Sequence, residues 1–222
     1  MNELPTSAAD GYLHLNAADL ADMERFFRAN LLSALSGPKA AMLVGTTSPE
    51  GRHNLALFQN VVHLGANPAL IGLINRPREA TPHTLAHIES TGWYTLNSVH
   101  SALLQQAHQT SAKYDDYTSE FAATGLTPLL LPGIPAPFVA ESRLRVALQL
   151  VEIVPIRHNG TFLIIGEVQY CSLPTDAIAP DGAVHLQQLD SVCSTGLDTY
   201  YRLAQRTRLL YAKPDRPATR IE

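Results

Sequence analysis

The chain has 222 residues, enough for one domain with a substantial core and without need of a second. Apolar residues at 45% and charged residues at 16% exclude disordered and fibrous classes. A formal charge of -4 with no long basic run argues against sequence-independent nucleic-acid binding, which needs clustered Lys and Arg to displace phosphate counterions.

The polar stretch 1–10 lacks the charged-then-apolar pattern of a signal peptide, and no later apolar run approaches a membrane span. A cytoplasmic protein without nucleic-acid or membrane partners is expected. Cys171 and Cys193 are too few for a disulfide scaffold and are expected as free thiols.

Along the chain, Leu20, Met23, Phe27, Leu31 and Leu35 recur at three- and four-residue steps, predicting one amphipathic helix over about 17–35, capped by Asn16 or Asp19 and stopped by Gly37-Pro38. Strands follow at Ala40 to Thr47, His53 to Leu64 and Ala69 to Asn75, the first two separated by a turn at Ser48-Pro49-Glu50-Gly51. Thr81-Pro82 opens a helix reaching Ser90, since Thr caps well and Pro is tolerated in the first turn. Gly92 to Val99 reads as strand. Leu103 to His108 and Tyr117 to Ala123 read as short helices, the second ended by Gly125. Leu126 to Pro137 reads as a proline-rich loop.

Two β-prone runs, Arg143 to Ile156 and Thr161 to Ser172, flank Arg157-His158-Asn159-Gly160, a strong hairpin signal. Beyond a turn at Asp181-Gly182, a short helix is predicted over Leu197 to Leu203, then a polar tail from about 205. Six or seven strands in a modestly helical chain predict an antiparallel barrel, because closure removes exposed sheet edges. Regularly alternating long helices and the glycine fingerprint of a dinucleotide-binding fold are absent.

Two regions carry candidate chemistry. Arg76 and Arg78 precede a helix start with Thr81, His83 and Thr84, and free backbone donors, hydroxyls and guanidinium groups together suit a phosphate. The competing reading makes Thr81 a plain cap and leaves both arginines solvated. In Asn54-Leu55-Ala56-Leu57-Phe58-Gln59-Asn60, three amides and an aromatic ring interrupt clean alternation, which suits a planar, amide-rich ligand; a bulged strand with solvent-facing amides is the alternative. His83 and His87 have the spacing of a two-histidine zinc clamp, but no glutamate follows His83 in the metalloprotease pattern, and no metal is expected. No serine sits in a G-x-S-x-G elbow.

These motifs and their order resemble the flavin reductase-like family of FMN-binding split-barrel proteins. Its members read N-A-A-P-[FY]-S in one strand and K-D-T-x-x-N-I after the next. Asn54 to Gln59 and Pro82 to Ile88 stand at the corresponding places. Pro38-Lys39, Thr91-Gly92 before a strand ending at Asn97, and Ser119-Glu120-Phe121 followed by Gly125-Leu126-Thr127 extend the agreement over roughly 38–200.

The resemblance implies a mainly β single domain with peripheral helices, an antiparallel split barrel of Greek-key type. It also implies FMN held by Asn54, Leu57, Phe58, Gln59, Asn60, Arg76, Arg78, Thr81, His83, Thr84 and Asn97. NAD(P)H would be the electron donor, FMN or FAD a bound or diffusing flavin, and a homodimer the working form. Segments near Tyr114 to Phe121 of the second copy would complete each pocket. Reduced flavin would pass to a monooxygenase or another acceptor, and a flavin-binding electron-transfer protein or an oxidase of another small substrate are the alternatives. Hydride transfer to a flavin needs no side-chain nucleophile or general base, so no catalytic residue is assigned. Departures are Leu57 for proline, Gln59 for serine and Pro82-His83 for lysine-aspartate. A divergent Cys193 to Leu197, near which His185 is the candidate for assisting nicotinamide, adds to them.

Overall fold

A computed structural model describes residues 11–79, 82–115 and 117–221. The N-terminal helical region is two helices, α1 (Ala17–Asp22) and α2 (Arg25–Leu35), instead of the one expected. Asn16 and Asp19 form a capping box on α1, and Glu24 then accepts the Phe26 and Phe27 amides at 2.8 and 2.9 Å. A side-chain acceptor in mid-pattern starts a second helix, an event that hydrophobic spacing does not register.

The chain continues through β1 (Lys39–Ala40), β2 (Met42–Thr47), β3 (His53–Phe58), β4 (Val61–Ala66), β5 (Ala69–Asn75), α3 (Pro82–Thr91) and β6 (Trp93–Ser98). Then come α4 (Leu104–Gln109), α5 (Glu120–Thr124), β7 (Pro128–Leu131), β8 (Ile134–Val139), β9 (Arg145–Ile156), β10 (Thr161–Ser172), β11 (Val192–Thr195) and β12 (Thr199–Arg202). Seven strands form one antiparallel sheet in the order β3-β2-β6-β9-β10-β5-β4, while β1, β11 and β12 form a second, smaller one. The expected run from His53 to Leu64 breaks at Gln59-Asn60, because β3 pairs with β2 whereas β4 pairs with β5 at the far end of the order.

One core cluster takes Val44, Phe58, Leu73, Leu96, Leu148 and Ile164 from β2, β3, β5, β6, β9 and β10, with Leu85 and Ile88 of α3 against them. Strands at opposite ends of the sheet order meet in one cluster only if the sheet curls, so the two edges approach each other and α3 fills the interior. Gly166 makes the curl tight. A Cβ there would collide with the Tyr94 ring hydroxyl, which is fully buried. A second cluster on the outer side joins Leu43 and Leu55 to Leu103, Phe121 and Val139.

The opposite outer wall is different. Alternation and register put Val62, Leu70, Ile74, Leu163, Ile165 and Val154 on the outward face of β4, β5, β10 and β9, with Val62 47% exposed. The helices pack elsewhere: α3 on β2, β3 and β6, α4 and α5 on β3, and α2 on β11.

Two further expectations are corrected. Leu126 to Pro137 is largely a hairpin, β7 with the start of β8, turning at Gly133. Its prolines read as loop, yet a two-stranded ribbon tolerates them where no ladder donor is required. Leu197 to Leu203 contains β12, not a helix, because Thr199, Tyr200 and Tyr201 are β-prone and pair with β11. The hairpin of β9 and β10, strand β5 and the Gly125 helix stop, with its left-handed φ of 70°, stand as expected. Both cysteines are free thiols, and no helix among the described residues is long and apolar enough to cross a membrane.

Candidate functional site

A cleft of about 250 Å³ opens where the start of β3 meets the start of α3. Arg52, His53 and Asn54 form one wall, His83 and His87 a second, and Asp115 with Tyr117 to Glu120 a third.

Strand β2 turns its Met42, Val44 and Thr46 face inward. Met42 and Val44 enter the core, and Thr46 continues that face as a polar group at the cleft end. Asn54 is buried beside it and spends both amide protons on hydroxyl oxygens, Thr46 Oγ1 at 3.1 Å and Thr84 Oγ1 at 3.2 Å. Each threonine therefore keeps its own proton to donate. Thr46 Oγ1 lies 3.3 Å from His87 Nδ1, and donation in that direction assigns neutral His87 its proton at Nε2. His87 holds its pKa below the usual histidine range, first through burial and then through the nearby His83 and Arg52. His53 is depressed by burial alone. The Nε2–H of His87 makes no hydrogen bond among the described residues, so a donor is offered on a wall of the cleft.

The third wall comes from the same chain. Glu120 Oε2 accepts the Leu55 amide at 3.0 Å, fastening α5 to the outer edge of β3, and Ser119 Oγ is buried without a partner among the described residues. In this chain its own segment 117–120, tied down by Glu120, forms that wall.

The expected binding residues divide. Asn54, His83 and Thr84 come together at the cleft. Leu57 and Gln59 are half-buried and Asn60 exposed, further along at the β3–β4 connection, where Asn60 accepts the Ile74 amide. Phe58 turns its ring into the barrel core and offers a ligand no aromatic face. Arg76 is exposed. Arg78 makes a two-pronged ion pair with Glu89 at 2.6 and 2.7 Å and lies over Phe162, so its charge is used on the far half of α3. Thr81 lies outside the described residues. Asn97 is fully buried, donating to the Leu43 carbonyl and Thr95 and accepting the Val139 amide, which commits it to holding β2, β6 and β8 together. His185 lies against Arg206, away from the cleft walls, and Cys193 to Thr195 belong to β11. His83 and His87 stack with planes 12° apart, and no group of three metal-ligating side chains occurs among the described residues.

Sequence reading missed Thr46 and Arg52, weighed His87 individually only as a metal ligand, and named Glu120 only within a family motif. For Thr46 a signal existed, a threonine prolonging an otherwise apolar inward face. The role of Glu120 had none, because its partner is a backbone amide 65 residues away.

A family model described as the flavin reductase like domain matches residues 36–190. A candidate flavin reductase with a split barrel domain from Shewanella frigidimarina has 44% identity and a TM-score of 0.87, over 90% of this chain and 100% of that one. Component B of nitrilotriacetate monooxygenase from Bacillus cereus superposes with a TM-score of 0.79 at 20% identity, over 89% and 98% of the two chains, a likeness of fold. An uncharacterized protein of Halalkalibacterium halodurans is 26% identical over 92% of this chain and 97% of its own length. The curled sheet described above is the split barrel.

Proposed function

Because the chain belongs to the flavin reductase-like domain family, we propose that it binds FMN between two copies of itself and uses it to take hydride from a reduced nicotinamide. The observation that carries this reading is the buried Asn54 amide, which draws Thr84 at the start of α3 and Thr46 of β2 to one point of a cleft. Thr84, His83 and His87 supply hydroxyl and imidazole donors for a phosphate, and the helix start adds its partial positive charge. The edge of β3 from Leu57 to Asn60 then meets the ring system with backbone and amide groups. Such groups suit its pyrimidine donors and acceptors. Phe58, Arg78 and Asn97 leave the set of contacts, since each is engaged inside the chain.

When bound, FMN supplies the redox chemistry, accepting hydride from the nicotinamide. The protein's share is to orient: Asn54 fixes the two threonines, Thr46 fixes the imidazole proton of His87, and Glu120 holds the third wall against β3. The bare apolar face of β4, β5, β10 and β9 supports the dimer, since an uncovered sheet face of that kind stays apolar only where another surface covers it. In this reading reduced flavin passes to a separate acceptor such as a monooxygenase, within the cytoplasm.

The test is the visible spectrum of protein incubated with excess FMN and desalted, followed by anaerobic NADH and then NADPH. Retained yellow colour that bleaches with either nicotinamide is expected. Colour that persists overturns the donor and leaves an electron-transfer role. Colourless protein, with no binding on FMN titration, overturns the flavin site.

A further inference from the structure

The last segment of the chain lies beyond the residues the family model matches and is exposed over nearly all of its described length. After β12, residues 203–221 fold back on themselves at Pro214-Asp215. Leu210 donates to the Thr219 carbonyl and Ile221 to that of Arg208, both at 2.9 Å, and bridges join Leu209 to Arg220 and Lys213 to Arg216. The root is fastened to the body by Gln187 Nε2 on the Ala204 carbonyl at 3.0 Å, Arg206 against His185, and the Arg208–Asp181 ion pair. The ribbon beyond its root is bare. Leu209 is 57% exposed, Leu210 48%, Tyr211 90% and Ile221 48%. A lone two-stranded ribbon is marginal in water, so an arm held at its root with exposed apolar residues along its length takes its support from another surface.

We infer that this arm clasps a second copy of the chain, placing Leu210 and Tyr211 on apolar surface of that copy and Lys213 and Arg216 towards its acidic groups. Charge selects this occupant. Residues 203–222 carry Arg206, Arg208, Lys213, Arg216 and Arg220 against Asp215 and Glu222, a net of three positive charges in a chain of net -4, so the remainder carries seven negative charges. Arg202 and Arg208 are paired within the chain to Asp190 and Asp181, whereas Lys213 and Arg216 at the tip enter no ion pair among the described residues. A second copy offers both an acidic body and the apolar face of β4, β5, β10 and β9. Reciprocal arms satisfy two-fold symmetry, each copy giving and receiving one. Nucleic acid fits poorly, because the acidic body repels phosphate. The inference rests on the paired copies proposed above and adds the element that locks them.

The experiment places a benzophenone amino acid at Tyr211 of the full chain, irradiates it with the FMN-loaded protein at micromolar concentration, and maps the product. A covalent two-chain species is expected, its yield falling several-fold with Lys213→Glu/Arg216→Glu and with added salt. Sedimentation of Leu210→Ser/Tyr211→Ser should show a dimer dissociation constant raised about tenfold, about 1.4 kcal/mol, with an unchanged far-UV circular dichroism spectrum reporting an intact fold. A stable dimer whose Tyr211 probe labels only its own chain overturns the clasp and leaves the dimer standing. A chain that sediments as a monomer overturns both. Attachment to anionic phospholipid vesicles without any two-chain product assigns the arm to a membrane surface and overturns the clasp.

Discussion

Two regions around α3 carry the chemistry a phosphate calls for, and they are built in opposite ways. The loop before the helix holds two arginines in water, one of them neutralised by Glu89. The hydrogen-bonded set beside it, Asn54, Thr46, Thr84 and His87, carries no permanent charge, yet its members are buried or half-buried and joined across β2, β3 and α3. Formal charge is cheap to encode and easily spent on a neighbour. A directed set of neutral donors needs three elements to meet and is worth more in a site sheltered from water.

Breaking the wall should therefore cost more than breaking the loop. Asn54→Ala removes a buried amide that serves two hydroxyls and is expected to lower unfolding free energy by about 2–3 kcal/mol, read from denaturant curves. Thr84→Ala should weaken FMN by about 1–3 kcal/mol in a fluorescence titration. Arg78→Ala, by contrast, breaks a half-exposed ion pair; a stability change within about 1 kcal/mol and unchanged FMN affinity are expected. An Arg78 variant that lost FMN as strongly as the Thr84 variant would invert the comparison.

Acidification sharpens it further. His53 and His87 titrate below their unfolded values, so between those folded values and about 6.5 the unfolded chain binds more protons. Their contribution is intact above that unfolded value, declines as pH falls below it, and levels off once the folded imidazoles also protonate. Thermal melting at pH 7.5 and 5.5 should thus differ less in His53→Gln/His87→Gln than in the parent protein. The smallest effect is expected inside the barrel. Tyr94 buries a hydroxyl that has no partner among the described residues and is pushed upward out of its normal titration range by burial. Tyr94→Phe is expected to be neutral or to stabilise by up to about 1 kcal/mol in the same denaturant assay.

Local signals in the sequence foretold much of the barrel. Asn159-Gly160 marked the β9–β10 hairpin, Gly125 marked a helix end, and a short apolar run between turn residues marked β5. What escaped depended on distant partners. The kink at Glu24 needed a side-chain cap, the ribbon from Pro128 needed a strand whose prolines face no ladder, and β12 needed β11 beside it. At the site, Asn54 and Thr84 could be picked out as residue types in a pattern, but their shared hydrogen bond joins positions 30 residues apart. Phe58 shows the reverse error. Its place in the motif pointed to a ligand, while strand alternation turned its ring into the core with Val44 and Leu73.

The carboxylate of Glu120 on the Leu55 amide also governs how the protein behaves in a crowded solution. Strand β3 ends the seven-stranded sheet, and an edge with open amides is a template on which another chain can polymerise. By occupying one of those amides with a charged group and laying α5 alongside, the fold blunts that edge where the cleft keeps it from being covered entirely. The same residue that shapes a wall of the site thereby sets how concentrated the protein can become before it begins to associate edge to edge.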